Sequence, residues 1–243
     1  MGVFHSDPAL VVEAIEKAEA LLEKGADWDR KNRLKVYKAV QAFQKRDLKT
    51  ASMLLLETLG TYAVEELMPH VDFVRCTVVA SLPHLPRLEM KSKLLDSPEL
   101  AAVESKLGPV ARLARSLYDC EYARVLPALA DSCEEMKGDW LLSHHTDHFC
   151  REMRVRAYSQ MLESYRSVQL DSMAREFGVS AAFMDFELSK FISLGRLHCK
   201  IDRVGGIVDT NRPDARNALY QSTIRAGDSL LNRLQKLARL VVV

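Results

Sequence analysis

The stretch Leu197-His198-Cys199-Lys200-Ile201-Asp202 is apolar then polar three times over, the period of a half-buried strand, in a chain otherwise written in helical periods. Arg203-Val204-Gly205-Gly206 reads as a turn, and Ile207-Val208-Asp209-Thr210 as the returning strand. A lone hairpin must be propped by the helices beside it, and three precede it. The first spans residues 154–165. After an extended piece at 167–170, a second is opened by Asp171-Ser172 and stopped by Gly178. Ser180 caps a third that runs to about Leu194 and ends at Gly195. Helix–helix–helix–hairpin is the order of a winged helix, which places that module at residues 151–211. A winged helix attached to a helical repeat usually serves as an assembly joint, so its surroundings matter more than its fold.

Those surroundings are helical. In residues 1–150, Asp7-Pro8 opens a helix with apolar positions Leu10, Val11, Ala14, Ile15, Ala18, Leu21 and Leu22, and Gly25 stops it. Residues 29–44 turn Leu34, Val36, Tyr37, Val40 and Phe43 inward. Lys45-Arg46-Asp47 makes a turn, and a partner helix covers 48–59. Small residues Ala39, Ala42 and Ala51 stand where the two cross, the repeating unit of an α-solenoid. A second pair, 110–118 and 122–136, turns at Asp119-Cys120-Glu121. Between the pairs lie 65–82 and shorter pieces broken by Pro83, Pro86 and Pro98.

Residues 212–243 hold the most regular helix, entered through Arg212-Pro213-Asp214. Tyr220, Ile224, Gly227, Leu231, Leu234, Ala238 and Val241 recur at spacings of four and three, an a/d seam over three heptads. Leu230 and Leu237 widen it. A compact winged helix does not cover a stripe of roughly 40 Å at 1.5 Å per residue. The fold expected is therefore mainly α: an α-solenoid of helix pairs, a winged-helix module and a long C-terminal helix whose leucines meet other chains.

The wording of the sequence agrees. The strings GADWDRKNRLKVYKAV, DWL, REMRVRAYSQMLESYRS, MAREFGVS, ELSKFISLGRLHCKID, IVDTNRPDARN and LLNRLQKLAR resemble the PCI-domain proteins. Among these they are most similar to the proteasome regulatory-particle lid family called non-ATPase regulatory subunit 6. GRLHCKID followed by TNRPD is the most specific part, since a generic winged helix has no reason to carry it. The resemblance implies a non-catalytic scaffold acting in ubiquitin-dependent proteolysis in cytoplasm and nucleus. It implies hetero-oligomeric contacts with other PCI-type lid subunits: winged helices pair edge to edge and terminal helices gather in a bundle. The residues expected at partners are Leu197, Cys199, Ile201 and Ile207 on the wing, and Leu230, Leu231, Leu234 and Leu237 on the last helix. Family members carry further N-terminal helical repeats, so the sequence is expected to be a truncated form or a fragment. His144-His145-Thr146-Asp147-His148 stands where an aromatic-rich stretch is expected.

Chemistry is sparse. No H-E-x-x-H, G-x-G-x-x-G, P-loop or G-x-S-x-G occurs, and no two histidines are separated by one residue as an isopeptidase metal site requires. His198 and Cys199, adjacent on a strand, point to opposite faces and make no nucleophile–base pair. His144, His145, Asp147, His148 and Cys150 are the densest set of metal ligands, read as histidines at a solvated helix start. Neither metal, cofactor nor enzymatic activity is expected. The five cysteines are odd in number and scattered, the usage of a reduced intracellular protein. No apolar run approaches 18 residues, the N-terminus lacks a signal-peptide layout, and no membrane contact is expected.

Two alternatives remain open: a signalosome scaffold, or a nucleic-acid-associated PCI scaffold of the translation-initiation type. Residues 1–153 carry 20 basic and 24 acidic side chains, and 154–243 carry 14 and 9, too mild a bias for a nucleic-acid face. The third helix of the module is apolar nearly all round, carries Asp185, Glu187 and Lys190, and reads as buried between module and solenoid. Reading bases needs Arg, Lys, Asn or Gln at that position. Fluorescence anisotropy at ~150 mM salt is accordingly expected to show at most weak, salt-sensitive association with duplex DNA. Sub-micromolar binding to one sequence would contradict it.

Overall fold

The computed structural model describes residues 8–22, 27–62, 64–210 and 215–241. Helix α1 (Pro8–Leu22) packs on α2 (Trp28–Gln44), which pairs with α3 (Leu48–Thr58). Ala39 and Ala51 are fully buried where α2 and α3 cross, because only a methyl group lets the two backbones approach. The stripe of α1 is narrower than its sequence suggests: Val11 and Ile15 are buried, while Leu10 and Leu21 face out. The start signal Asp7 and stop signal Gly25 lie outside the described residues.

The stack continues through α4 (His70–Ser81), α5 (Arg87–Met90), a π turn at Lys91–Leu95 and α6 (Pro98–Leu107). Pro69 delays α4 to residue 70, whereas residues 65–82 read as one piece from sequence. Pro98 is no breaker, since it occupies the first helical position behind the Ser97 cap, where its missing N–H costs nothing. The second pair is α7 (Pro109–Tyr118) and α8 (Tyr122–Lys137).

Both hairpins turn in the same way. At Lys45–Asp47 the Arg46 backbone is left-handed, and at Asp119–Glu121 that of Cys120 is, with φ of 60° and 61°. Asp47 N–H donates to Ala42 C=O and Glu121 N–H to Ser116 C=O, each at 2.9 Å. These are 6→1 bonds closing helix ends of the Schellman type. The two units share a turn geometry that their loosely alignable sequences conceal.

Helix α9 (Thr146–Ser164) is one unbroken helix. It starts eight residues before Arg154, because nothing between Thr146 and Ser164 interrupts it, so a division at 150/151 falls inside it. Its N-terminal half packs on α8 and its C-terminal half opens the module. Then come β1 (Ser167–Gln169), α10 (Leu170–Phe177), α11 (Ala181–Ser193), β2 (Cys199–Asp202) and β3 (Ile207–Thr210). Gln169, in an extended conformation, precedes α10, so the helix starts one residue before Asp171. Ser180 Oγ accepts from Phe183 N–H at 3.3 Å, capping α11 as expected. Gly178 and Gly195 are left-handed at its predecessor's end and its own.

The sheet has three strands, not the two of the predicted hairpin. Their order is β1-β3-β2, all antiparallel, with Val208 of β3 opposite Val168 on one side and Ile201 on the other. β1 was legible only as a short extended piece, since three residues carry too little pattern to declare a partner.

Phe177 joins module to solenoid. Its ring lies 5.0 Å from Tyr122 of α8 and 5.0 Å, edge-on, from Tyr158 of α9. On the other side of Tyr158 lies Phe191 of α11. Glu187 of α11 is buried in this region and is held by Arg154 of α9 at 2.7 Å. Arg203 at the wing turn reaches Asp185 of α11 at 3.2 Å, and Arg196 pairs with Glu152. Breaking a buried pair by removing one partner strands a charge away from water. Arg154→Met is thus expected to cost about 3 kcal/mol in urea unfolding, and Arg154→Met with Glu187→Leu under about 1 kcal/mol.

Candidate assembly surfaces

The last helix, α12 (Ala215–Val241), has 27 residues. Every described side chain from 219 to 238 is exposed except half-exposed Gly227. Leu230, Leu231, Leu234 and Leu237 stand 56–60% exposed, and Leu219, Tyr220 and Ile224 are similar. The seam is therefore not folded back on the chain's own solenoid. The residues Arg212, Pro213 and Asp214 that were to set its start lie outside the described residues.

At 100° per residue, Ile224, Leu231, Tyr220, Gly227, Leu234, Leu230 and Leu237 sweep an arc of about 140°. Gln221, Arg225, Asp228, Asn232, Gln235 and Lys236 take up about 100° beside it, and Ser222, Ala226, Ser229 and Arg233 the remainder. A two-stranded coiled coil needs only the narrower a/d stripe. Full burial of each leucine contributes ~1.5–3 kcal/mol.

The wing residues divide differently. Leu197 and Cys199 are buried in the module's own core, and Ile201 and Ile207 are half-buried. Their side chains prop the sheet, so a partner at this edge would meet the outer backbone of β2, together with exposed His198, Lys200 and Asp202. β3 is central and has no free edge; β1 and β2 are the outer strands. An unpaired strand edge offers backbone donors and acceptors to an incoming strand. Burial pushes the Cys199 thiol up.

Helix α11 corrects a second expectation. Met184, Glu187, Leu188 and Phe191 form its buried stripe, but Phe183, Phe186 and Leu194 are exposed. It is apolar on both faces without being buried on both. The signal was available in the spacing: 184, 187, 188 and 191 make one helical face, which leaves 183 and 186 outside it.

The histidines do not converge. A 3₁₀ turn at Ser143–His145 precedes α9, so His144 and His148 do not share one face of a continuous α-helix. His145 is buried with its ring 5.9 Å from Phe43, and burial lowers its pKa; His144 is exposed beside Ser143 Oγ at 3.1 Å. Among the described residues no group of three His, Cys, Asp or Glu is placed to hold a metal ion. A cleft of about 580 Å³ lies between α9 and the turns before α5 and after α7. Three of its polar side chains already serve backbone: Arg87 donates to Tyr118 C=O, Gln160 to Leu117 C=O and Arg156 to Leu85 C=O. It is a joint that caps the end of α7. No described helix is long and apolar enough to cross a membrane.

Comparison with known proteins adds identity to this geometry. The family described as 26S proteasome subunit RPN7 matches residues 1–93, the PCI domain matches 126–212, and the 26S proteasome regulatory subunit RPN7/PSMD6 C-terminal helix matches 220–241. The chain is 46% identical over 243 residues to the 26S proteasome non-ATPase regulatory subunit 6 of Dictyostelium discoideum, covering all of this chain and 64% of that protein. It is 42% identical over 240 residues to the 26S proteasome regulatory subunit RPN7 of Saccharomyces cerevisiae, covering 97% of this chain and 56% of that one. Similarity to the COP9 signalosome complex subunit 1 of Arabidopsis thaliana is lower, 26% over 170 residues, or 70% of this chain and 38% of that protein. The chain thus spans under two thirds of the length of these relatives.

Exposure of the α12 leucines has a direct consequence for stability. Leu231→Asp with Leu234→Asp is expected to leave the circular dichroism spectrum and melting temperature of the isolated chain nearly unchanged. A sharp fall in melting temperature would show the seam packed on the chain itself.

Proposed function

This chain belongs to the family of the 26S proteasome regulatory subunit RPN7, or non-ATPase regulatory subunit 6, and from that premise we propose that it is a non-catalytic scaffold of the proteasome regulatory-particle lid. It works by assembly with other PCI-type subunits, in cytoplasm and nucleus, in ubiquitin-dependent proteolysis. The observation that carries this reading is α12: a 27-residue helix with an exposed apolar arc of about 140°. Such a helix is complete only when other helices lie against it. The outer backbone of β2 offers a second, independent contact through strand addition.

The division of labour follows from burial. The solenoid and the Phe177 cluster hold the module at a fixed angle, the wing edge supplies register, and the α12 leucines supply apolar area. Four buried leucines contribute up to roughly 6–12 kcal/mol before the costs of association are subtracted. Leu197 and Cys199 contribute indirectly, by fixing the strand whose edge is offered.

The signalosome reading rests on a similarity that is both lower and shorter. The nucleic-acid reading needs cationic or amide side chains outward on α11, where Phe183 and Phe186 stand.

Reconstitution with the remaining lid subunits tests the proposal. Wild-type chain is expected to co-purify in one stoichiometric assembly, and Leu231→Asp with Leu234→Asp to reduce its incorporation at least about tenfold, the equivalent of 1.4 kcal/mol or more. Normal incorporation of that variant, or exclusive recovery with signalosome subunits, would refute it.

A further inference from the structure

We propose that Gly227 is a notch in the exposed face of α12 that receives one large apolar side chain, leucine or aromatic, from a helix of another lid subunit. This rests on the scaffold reading and adds to it where the neighbouring helix seats and what that helix must present.

Glycine is the poorest helix former after proline, so a glycine inside a helix asks for a reason. Other glycines of the chain have one close at hand. Gly108, Gly178, Gly195 and Gly206 take left-handed backbone. A side chain at Gly60 or Gly205 would run into Glu99 or Asp202, and Gly138 closes the end of α8. Gly227 has none of these reasons. It lies near the middle of the unbroken 27-residue α12, and its φ is not left-handed. A methyl group there would meet nothing within 4 Å. Nothing in the described chain makes use of the missing side chain.

Its place on the helix points outward. At 100° per residue, Gly227 falls about 60° into the apolar arc of about 140° that runs from Ile224 to Leu237, close to the midline. Along the axis it stands about 12 Å from Leu219 and about 15 Å from Leu237. Within one turn it is ringed by Thr223, Ile224, Leu230 and Leu231, all exposed. A helix packing on such a face sets its side chains as knobs into holes between four residues. The hole over Gly227 is deeper than its neighbours by a whole side chain, with branched walls and a backbone floor.

Left without a knob, that hole would be a void at the centre of an apolar contact, and a void forfeits both burial and dispersion. A large apolar side chain fills it. A second copy of α12 crossing at this point would set notch against notch and leave the void open. The complementary surface therefore belongs to a different sequence.

The test is reconstitution with the remaining lid subunits, using Gly227→Leu and Gly227→Ala in the full chain. Both residues are better helix formers than glycine, so circular dichroism of each isolated variant is expected to show helix content at or above that of wild type. Leucine also adds apolar area, and an undifferentiated apolar stripe would then incorporate at least as well as wild type. Gly227→Leu is expected instead to incorporate at least about tenfold less, because the place of the knob is taken. Gly227→Ala is expected to fall about two- to threefold, and it decides alone if the leucine variant aggregates. Normal or raised incorporation of these variants would overturn the notch. If Leu231→Asp with Leu234→Asp is excluded in the same experiment, the scaffold reading survives that result; if it also incorporates, both fall. Sedimentation of the isolated wild-type chain as a dimer that Gly227→Leu dissociates would assign the notch to a second copy and likewise overturn the proposal.

Discussion

Helix α9 belongs to two structures at once, and the geometry of the protein depends on that sharing. Its first turns lie on α8, its last turns open the winged helix, and no flexible link separates the two. Side chains lock the arrangement from several directions. Tyr158 touches both Phe177 and Phe191, Arg154 holds buried Glu187, Arg156 donates to Leu85 C=O in the turn before α5, and Gln160 to Leu117 C=O near the end of α7. Removing any one leaves the others, so the module is held at its angle by redundancy. A strand edge is useful for assembly only if its direction is fixed, and α9 supplies that fixity.

The sequence reveals features that side-chain chemistry dictates locally. Ser180 caps α11, Gly178 and Gly195 take left-handed backbone, and the alternation through Cys199–Asp202 becomes a strand. What escaped it depends on contacts between distant residues. The Arg46 and Cys120 turns use the same left-handed geometry without glycine, an expense of about 1–2 kcal/mol each that tertiary packing must override. Strand β1 exists because β3 lies beside it, and its three residues carry no pattern of their own. The histidines before Arg154 read from sequence as a solvated helix start, but not as the start of the same helix, and His145 and Thr146 are in fact buried.

The site shows the same division. The leucines of α12 recur at heptad spacing, and in the structure they are exposed. Leu197 and Cys199 were identified by alternation, yet alternation marks which face is buried and leaves open whether a neighbour or the protein's own core buries it. Here the core does. Phe183 and Phe186 show the converse: an apolar helix was taken as buried, although only one of its faces has a cover.

The long last helix also sets the terms on which a newly made chain survives. A solvated stripe of leucine about 27 Å long, from Leu219 to Leu237, lowers solubility and favours any apolar surface it meets, including that of another copy. Pairing of two such stripes would hide them and leave each chain unable to join anything else. Under the assembly proposed for this chain, a copy made in excess of its partners would have no cover for that stripe except another copy. On that proposal, an exposed α12 would mark a chain that has not yet been assembled.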